Sequence, residues 1–304
     1  MRVTFNSFPD TLLGRLQALG NDQNKALVQL STGQRIAAPS DDAPAMQRIL
    51  NLRAEKKQGQ QYHRNAIDGL EVSKTTFATL DQLSDILTRS SELSANISGI
   101  TSAQEFKAKA SEVTQLIEQG LNVANSKLRG SYLLAGDASG SATAPYASTR
   151  DAEGRITSVT YKGSDSLAEM NISESSKISA FSSAAENKDV AGMLNTLIEL
   201  RSAMEAADST EALNVRRKLT DGTGNYEDTL LSSMSRAGSI QYRLEVAMKD
   251  LEIRYESTEQ LISTDADVDF AEATVRLNRA QMAYQAAIQS GAMIQNNSLL
   301  DYIR

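Results

Sequence analysis

The chain has 304 residues and a net charge of −7, with 40% hydrophobic residues, 5% aromatic residues and no tryptophan. This composition favours long, thin helical bundles over a thick globular core. The absence of cysteine excludes disulfides, thiol nucleophiles and thiolate metal sites. Because no basic block occurs, nucleic acid and anionic membranes are poor candidate partners.

The first predicted element is an amphipathic helix over residues 11–32. Its apolar residues are separated by gaps of three and four or their sums, which aligns them along one seam. The members of this stripe are Leu12, Leu16, Leu19, Ala26 and Leu30. Gly33 offers a helix end, the residue before Pro39 is pushed toward extended geometry, and residues 40–42 can cap a new helix.

A long second helix is predicted over residues 44–97 and a third helix after it. The segment Ser102-Ala103-Gln104-Glu105 has the form of a capping box, in which the serine and the glutamate satisfy each other's backbone amides. Because only a short turn joins these two helices, we expect them to lie antiparallel.

After Gly130 the helical period is lost and a small β-rich insertion is predicted over residues 131–182. Short β-type runs occur at residues 132–135, 156–161 and 167–172, and glycines in turn-like surroundings separate them. Helix returns at residues 189–207 and again from Glu211, and a long helical seam follows up to Leu261.

The last predicted helix carries a second apolar stripe, and residues 264–267 are predicted to cap it. The members of this stripe are Phe270, Ala273, Leu277, Ala280, Tyr284, Ala287 and Ile294. The predicted fold class is therefore mainly α, a long antiparallel bundle or coiled-coil rod built from the N- and C-terminal halves, with a small β-rich central insertion.

Residues that could carry catalysis are scarce. His63 is the single histidine, so transition-metal sites and histidine-based triads lack their parts. Asp265, Asp267 and Asp269 lack the following glycine and the glutamate at the twelfth place that a calcium loop needs. We therefore predict no catalytic, cofactor-binding or metal-binding residues and no enzymatic activity.

The sequence also bears on how the protein meets membranes. No run approaches the roughly 20 apolar residues that cross a bilayer, and the first thirty residues lack a secretory signal. If the protein leaves the cell, we expect it to use another route.

The two terminal stripes allow two interpretations. They could close an intramolecular bundle, or they could meet stripes of other molecules. The seams are thin and rich in alanine, which favours assembly between molecules. The predicted assembly contacts are Leu12, Leu16, Leu19, Leu27, Leu30, Phe270, Leu277, Tyr284, Ile288, Ile294, Leu299 and Leu300.

Three groups of residues resemble a known family. They are Gln29-Leu30-Ser31-Thr32-Gly33-Gln34-Arg35-Ile36 with Pro39-Ser40-Asp41-Asp42-Ala43-Pro44, then Gly130-Ser131-Tyr132-Leu133-Leu134-Ala135-Gly136 with Val159-Thr160-Tyr161-Lys162-Gly163, and Asp269-Phe270-Ala271-Glu272-Ala273 with Ser298-Leu299-Leu300-Asp301-Tyr302-Ile303. In this order the chain resembles the flagellin-related axial proteins of the bacterial flagellum, and within them the hook-associated proteins of the hook–filament junction.

This resemblance implies a structural role and a division of labour along the chain. Residues 1–40 and 264–304 would be assembly helices that order on assembly, residues 41–130 and 183–263 a helical rod, and residues 131–182 a small outer domain. The implied partners are other copies, a neighbouring hook-associated protein, flagellin, an export chaperone and the flagellar export apparatus. The implied location is the extracellular flagellum, reached through the flagellar type III route. A filament subunit and a cytoplasmic coiled-coil scaffold remain as alternatives.

Overall fold

The computed structural model describes residues 7–97, 101–221 and 225–302, with side chains described from residue 10 to residue 293. The described helices are α1 (Ser7–Thr32), α2 (Ala43–Ala95), α3 (Ala103–Ala124), α4 (Ala184–Glu205), α5 (Ser209–Thr220), α6 (Tyr226–Ala266) and α7 (Phe270–Tyr302). Six short strands lie between α3 and α4. They are β1 (Lys127–Leu128), β2 (Ser131–Tyr132), β3 (Tyr146–Arg150), β4 (Ile156–Tyr161), β5 (Met170–Asn171) and β6 (Lys177–Ile178). The predicted mainly helical class with a small strand-containing insertion is confirmed.

The described chain divides into two compact units. The smaller unit contains the residues up to Gln58 and those from Arg254 onward, and the larger unit contains Gly59–Ile253. Helices α2 and α6 therefore contribute residues to both units.

The larger unit has a continuous apolar core under α2, α3 and α4. Leu83 and Leu87 of α2, Ile117 of α3, and Leu194 and Leu197 of α4 are fully buried in it. Close approach of α3 and α4 depends on Gly120, because a methyl group there would lie 2.7 Å from Leu194 Cδ2. We conclude that a small residue at this position fixes the spacing of the two helices.

Polar contacts confirm that α2 and α3 run antiparallel. Arg89 Nη2 lies 2.6 Å from Glu112 Oε1, and Lys109 Nζ donates to the carbonyl oxygens of Leu93 and Asn96 at 3.1 and 2.8 Å. The predicted capping box of α3 is also confirmed. Ser102 Oγ accepts from Glu105 N at 3.3 Å, and Ser102 N donates to Glu105 Oε2 at 2.9 Å.

The strands form three antiparallel hairpins, β1–β2, β3–β4 and β5–β6. The β3–β4 hairpin is attached to α4 through Asn195, whose amide completes the backbone bonding of Val159. Val159 N donates to Asn195 Oδ1, and Asn195 Nδ2 donates to Val159 O, both at 2.8 Å. Helix α4 begins at Ala184, earlier than the predicted start at residue 189, because Ser183 and Glu186 form a second capping box.

Candidate assembly interface

Helices α1 and α7 pack against each other in the smaller unit. Their pairing is antiparallel, because Gly33 at the end of α1 lies beside Phe270 at the start of α7, and Gly291 lies beside Leu12. A methyl group at Gly291 would lie 2.5 Å from Leu12 Cδ2. Small buried residues at the seam, such as Ala273 and Ala280, allow the helices to come this close.

The seam uses only part of the predicted assembly contacts. The half-buried members are Leu12, Leu16, Leu19, Leu30, Leu277 and Tyr284. The exposed members are Leu27, Phe270 and Ile288. Ile294, Leu299 and Leu300 lie outside the residues whose side chains are described. The two stripes therefore meet within one chain, and several of their large side chains stay in contact with solvent.

Four exposed apolar side chains lie on one side of the helix pair. Leu13 and Leu27 are fourteen residues apart and Phe270 and Ile288 eighteen apart, which is close to whole numbers of turns at about 3.6 residues per turn. All four are rotated in the same sense from the seam, and in an antiparallel pair such positions share one side. We call these four residues the apolar side of the pair. Their exposed fractions run from 45% for Leu27 to 58% for Leu13 and Phe270.

The opposite side of the pair is charged. Asp22 and Lys25 of α1 and Arg276 and Arg279 of α7 line an open cleft of about 500 Å³ there. Arg276 Nη2 lies 3.0 Å from Glu272 Oε1. The pair thus presents chemically different surfaces on its two sides.

Sequence analysis missed Leu13, because it follows a stripe residue directly and falls off the seam period. It also missed a row on the back of α7, where Val275, Met282 and Met293 are exposed. A second apolar residue beside a stripe, repeated after whole helical turns, is the signal that could have found these residues.

A clasp joins the chain after α1 to the chain between α6 and α7. We use this name for residues 33–42 together with residues 265–269. Arg35 N donates to Ala266 O at 2.6 Å, and Val268 N donates to Gly33 O at 2.9 Å. Ile36 is buried in a small core with Ala45, Ile49 and Ala266. A segment that carries the family resemblance is therefore one that connects the two ends of the chain.

Two carboxylates hold the clasp. Lys25 Nζ lies 2.8 Å from Asp41 Oδ1, and the amides of Ala37 and Ala38 each donate to Asp41 Oδ2 at 3.0 Å. The lysine contact, followed by the two amide bonds, keeps the pKa of Asp41 below its ordinary value of 3.8. Asp265 accepts from Arg48 Nε and Nη2 at 3.0 and 2.9 Å, and this bond lowers the pKa of Asp265 as well.

The caps around the clasp match the sequence prediction at one end only. Asp42 Oδ1 accepts from Ala45 N at 3.1 Å and caps α2, as predicted. The prediction that residues 264–267 cap the last helix is wrong, because α6 continues through them to Ala266. Asp269 caps α7 instead, accepting from the amides of Ala271 and Glu272 at 2.8 and 3.1 Å.

Among the described residues, no group of three or more His, Asp or Glu side chains is placed to hold a metal ion. None of the helices in these ranges is long and apolar enough to cross a membrane.

Comparison with known proteins places this geometry in a family. The bacterial flagellin N-terminal helical region matches residues 11–139, and the bacterial flagellin C-terminal helical region matches residues 223–303. Together the two regions cover more than half of the chain, and they contain most of α1, all of α7 and the clasp. The chain belongs to the flagellin family of axial proteins of the bacterial flagellum.

Individual relatives agree with this membership. The chain is 25% identical over 287 residues to a flagellin of Halalkalibacterium halodurans, covering 93% of each chain. It is 33% identical over 125 residues to a flagellin of Salmonella enteritidis, covering 40% of this chain and 25% of that one. The chain therefore spans only a quarter of the length of the Salmonella relative.

Two solved structures share the fold. A flagellar hook-associated protein of Vibrio parahaemolyticus superposes with a TM-score of 0.62 at 17% identity, covering 75% of this chain and all of that one. FlgL of Bacillus cereus superposes with a TM-score of 0.56 at 19% identity, covering 69% and 97%. At these identities the likeness describes the fold alone.

Proposed function

We propose that this chain is a non-enzymatic structural protein that joins the hook of the flagellum to its filament. In this role it assembles through α1 and α7 with other copies of itself. The observation that carries the proposal is the uncovered apolar side of the α1–α7 pair. Of the seventeen large apolar side chains exposed among the described residues, eleven lie in the smaller unit, although that unit is the shorter part of the chain.

The physical reason is incomplete burial. Ordering a residue costs roughly 1–2 kcal/mol of backbone entropy, which burial of apolar surface has to offset. A helix pair that leaves Leu13, Leu27, Phe270 and Ile288 in water forgoes part of that gain. Neighbouring copies would supply it, so folding of the chain ends and assembly are coupled.

The proposal assigns roles along the chain. Residues 1–40 and 264–304 would form the assembly helices, residues 41–130 and 183–263 the rod, and residues 131–182 the outer domain. A neighbouring hook-associated protein and flagellin would bind at the two ends of the assembly. The protein would reach this extracellular position through the flagellar type III route, escorted by an export chaperone. Support for the junction role comes from the fold shared with hook-associated proteins.

A filament subunit is the second candidate, and one observation favours it. The flagellin of H. halodurans aligns over 93% of both chains. A filament subunit would be made in far more copies than a junction protein, and the purified protein would grow long filaments. Short rings or plugs on isolated hooks would favour the junction role instead.

Gene deletion followed by electron microscopy tests the junction role. We expect hooks without filaments and flagellin lost to the medium. Complementation with the double variant Leu27→Glu and Ile288→Glu should fail, although the protein is stable and exported. The control Leu167→Glu changes a residue that is 37% exposed in the insertion and should restore filaments. Normal flagella after deletion would contradict the proposal.

A further inference from the structure

Helix α6 carries an uncovered apolar stripe within the larger unit. The stripe consists of Leu231, Tyr242, Val246 and Ile253, whose exposed fractions are 61%, 69%, 42% and 58%. Eleven residues separate Leu231 from Tyr242 and Tyr242 from Ile253, which is about three helical turns. The four side chains therefore share one face, and Leu244 and other buried residues of α6 occupy the opposite face.

We propose that the occupant of this stripe is the same stripe of a second copy, with the two α6 helices antiparallel. Leu231 and Ile253 lie at equal distances from Tyr242, about 16 Å along the helix axis on either side. A two-fold axis at Tyr242 therefore brings Leu231 of each copy against Ile253 of the other. The stripe is self-complementary in the way that an isologous interface requires.

The residues between these three contacts favour the same arrangement. Val246 lies four residues after Tyr242. In the antiparallel pair it therefore lies at the level of Gly238 of the other copy, four residues before that copy's Tyr242. A methyl group at Gly238 would find no atom within 4 Å, so this level is open to receive the valine. Lys249 of one copy likewise lies at the level of the uncharged Ser235 of the other copy. In a parallel pair, by contrast, the two Lys249 ammonium groups would face each other.

One pair of flanking charges also favours the antiparallel pair. Arg236 and Asp250 lie on the same flank of the stripe, six residues before and eight after Tyr242. Like flanks meet in an antiparallel pair, which brings Arg236 of one copy to Asp250 of the other. In a parallel pair opposite flanks meet, and Glu245 would face Asp250 five residues on.

Both charges are accessible for this contact. Arg236 is half exposed and already lies 3.3 Å from Glu186 Oε1, which leaves further donors of its guanidinium for a second carboxylate. Asp250 is exposed and has no ion pair within the described part of the chain.

Such a pair is a form of the free protein and does not rest on the junction role. Copies in a closed ring point the same way and meet through unlike faces, whereas this contact joins like faces of opposed copies. The pair would cover the apolar face of α6 in solution and separate before copies join a ring.

Sedimentation equilibrium of the full chain tests the contact. We expect a monomer–dimer equilibrium whose dissociation constant rises at least about tenfold in Tyr242→Lys. The control Ile67→Lys alters an exposed apolar residue of α2 in the same unit and should change it less than about twofold. Because α1 and α7 are unchanged, association through them affects all proteins equally. A monomeric wild type, or equal dimerisation by Tyr242→Lys with an unchanged circular dichroism spectrum, would overturn the proposal.

Orientation is tested by disulfide cross-linking, because the chain has no cysteine of its own. Tyr242→Cys should cross-link with itself. Leu231→Cys and Ile253→Cys should cross-link when mixed, and neither should do so alone. Self-cross-linking of both single variants without a mixed product would show a parallel pair and overturn the arrangement.

Charge reversal gives an independent check. Asp250→Arg should weaken the dimer about fivefold, and the double variant Arg236→Glu with Asp250→Arg should restore it. Failure of the double variant to recover, while it remains folded, would contradict the Arg236–Asp250 contact.

Discussion

Gly33 ends α1 in a conformation that other residues adopt at a cost. Its φ is +70°, in the left-handed region, while a methyl group there would make only an ordinary 3.7 Å contact with Phe270. Gly33→Ala should therefore lower the free energy of unfolding by about 1–2 kcal/mol through backbone strain alone. Urea denaturation measures this change.

The control for this prediction is Gly20→Ala in the middle of α1, where added atoms find open space. That change should raise stability by about 0.5–1 kcal/mol, because alanine loses less entropy than glycine in a helix. Equal effects of the two substitutions would argue against a special role for the geometry at Gly33.

Asp41 gives the clasp a pH dependence. The pKa of Asp41 is lower in the folded protein than its ordinary value of 3.8. The contribution of the Asp41 carboxylate to the free energy of unfolding is therefore complete above pH 3.8. The contribution is lost as pH falls through the folded pKa. We expect the protection of the Ala37 and Ala38 amides against hydrogen exchange to fall as the pH drops through this pKa. In Asp41→Asn both amides should exchange fast, and their protection should show no such step with pH.

Local rules explain which residues could be predicted from sequence. Gly33, Asp42 and Ser102 act on neighbours a few residues away, so their patterns carry the prediction. The cap of α7 was misplaced because several acidic residues in succession satisfy the same rule. Tertiary packing extends α6 to Ala266, and this extension leaves Asp269 as the residue that caps α7.

At the scale of elements, periodicity predicts the long helices but not the shortest strands. The predicted run at residues 156–161 coincides with β4, whose alternation is visible. The predicted run at residues 167–172 contains β5, whereas the two-residue strands β1 and β6 have no period to detect and exist because a partner strand lies beside them. Insertion boundaries therefore depend on contacts that a single sequence does not contain.

The spacing of α1 and α7 depends on Gly291. A leucine there would meet Leu12 and force the helices apart, at a cost of about 1–3 kcal/mol. We expect Gly291→Leu to speed tryptic cleavage after Arg15 about tenfold, because the helix pair opens more often. Gly20→Leu adds the same bulk away from the cleaved bond, where no atom lies within 4 Å, and should not accelerate cleavage.

The two terminal helices should depend on each other for order. Most of the stability of a helix in a protein comes from packing of its apolar face, and each of these helices exposes much of that face when it is alone. Circular dichroism of peptides covering residues 1–36 and 265–304 should show little helix in either and more in their mixture. A fully helical spectrum for each peptide alone would indicate that the ends do not need a partner.

Across the whole molecule, the sequence predicted which residues carry the terminal stripes but not how they are shared. Periodicity shows that Leu19 and Leu277 face a neighbour, and it does not say whether that neighbour is in the same chain. The structure pairs the stripes within the chain and leaves Leu27, Phe270 and Ile288 exposed. Pairing within the chain therefore accounts for the seam residues, and assembly through the exposed residues stays a prediction.

The division into units predicts how the chain responds to truncation. The larger unit is one continuous segment, Gly59–Ile253, and contains the main apolar core, whereas the smaller unit needs both chain ends. A fragment of residues 59–253 should therefore be soluble and unfold cooperatively within about 5 °C of the main transition of the full chain. Differential scanning calorimetry measures both transitions.

The same logic separates folding from assembly. Deleting residues 265–304 removes α7 and half of the clasp but leaves the larger unit intact, so the truncated chain should fold and yet fail to join hooks or filaments. Pull-down on isolated hooks, with the full chain as the positive control, distinguishes the two properties. Binding of the truncated chain at full strength would place the assembly contacts outside α7. In the calorimetry experiment, an unfolded fragment of residues 59–253 would show that the larger unit depends on the chain ends.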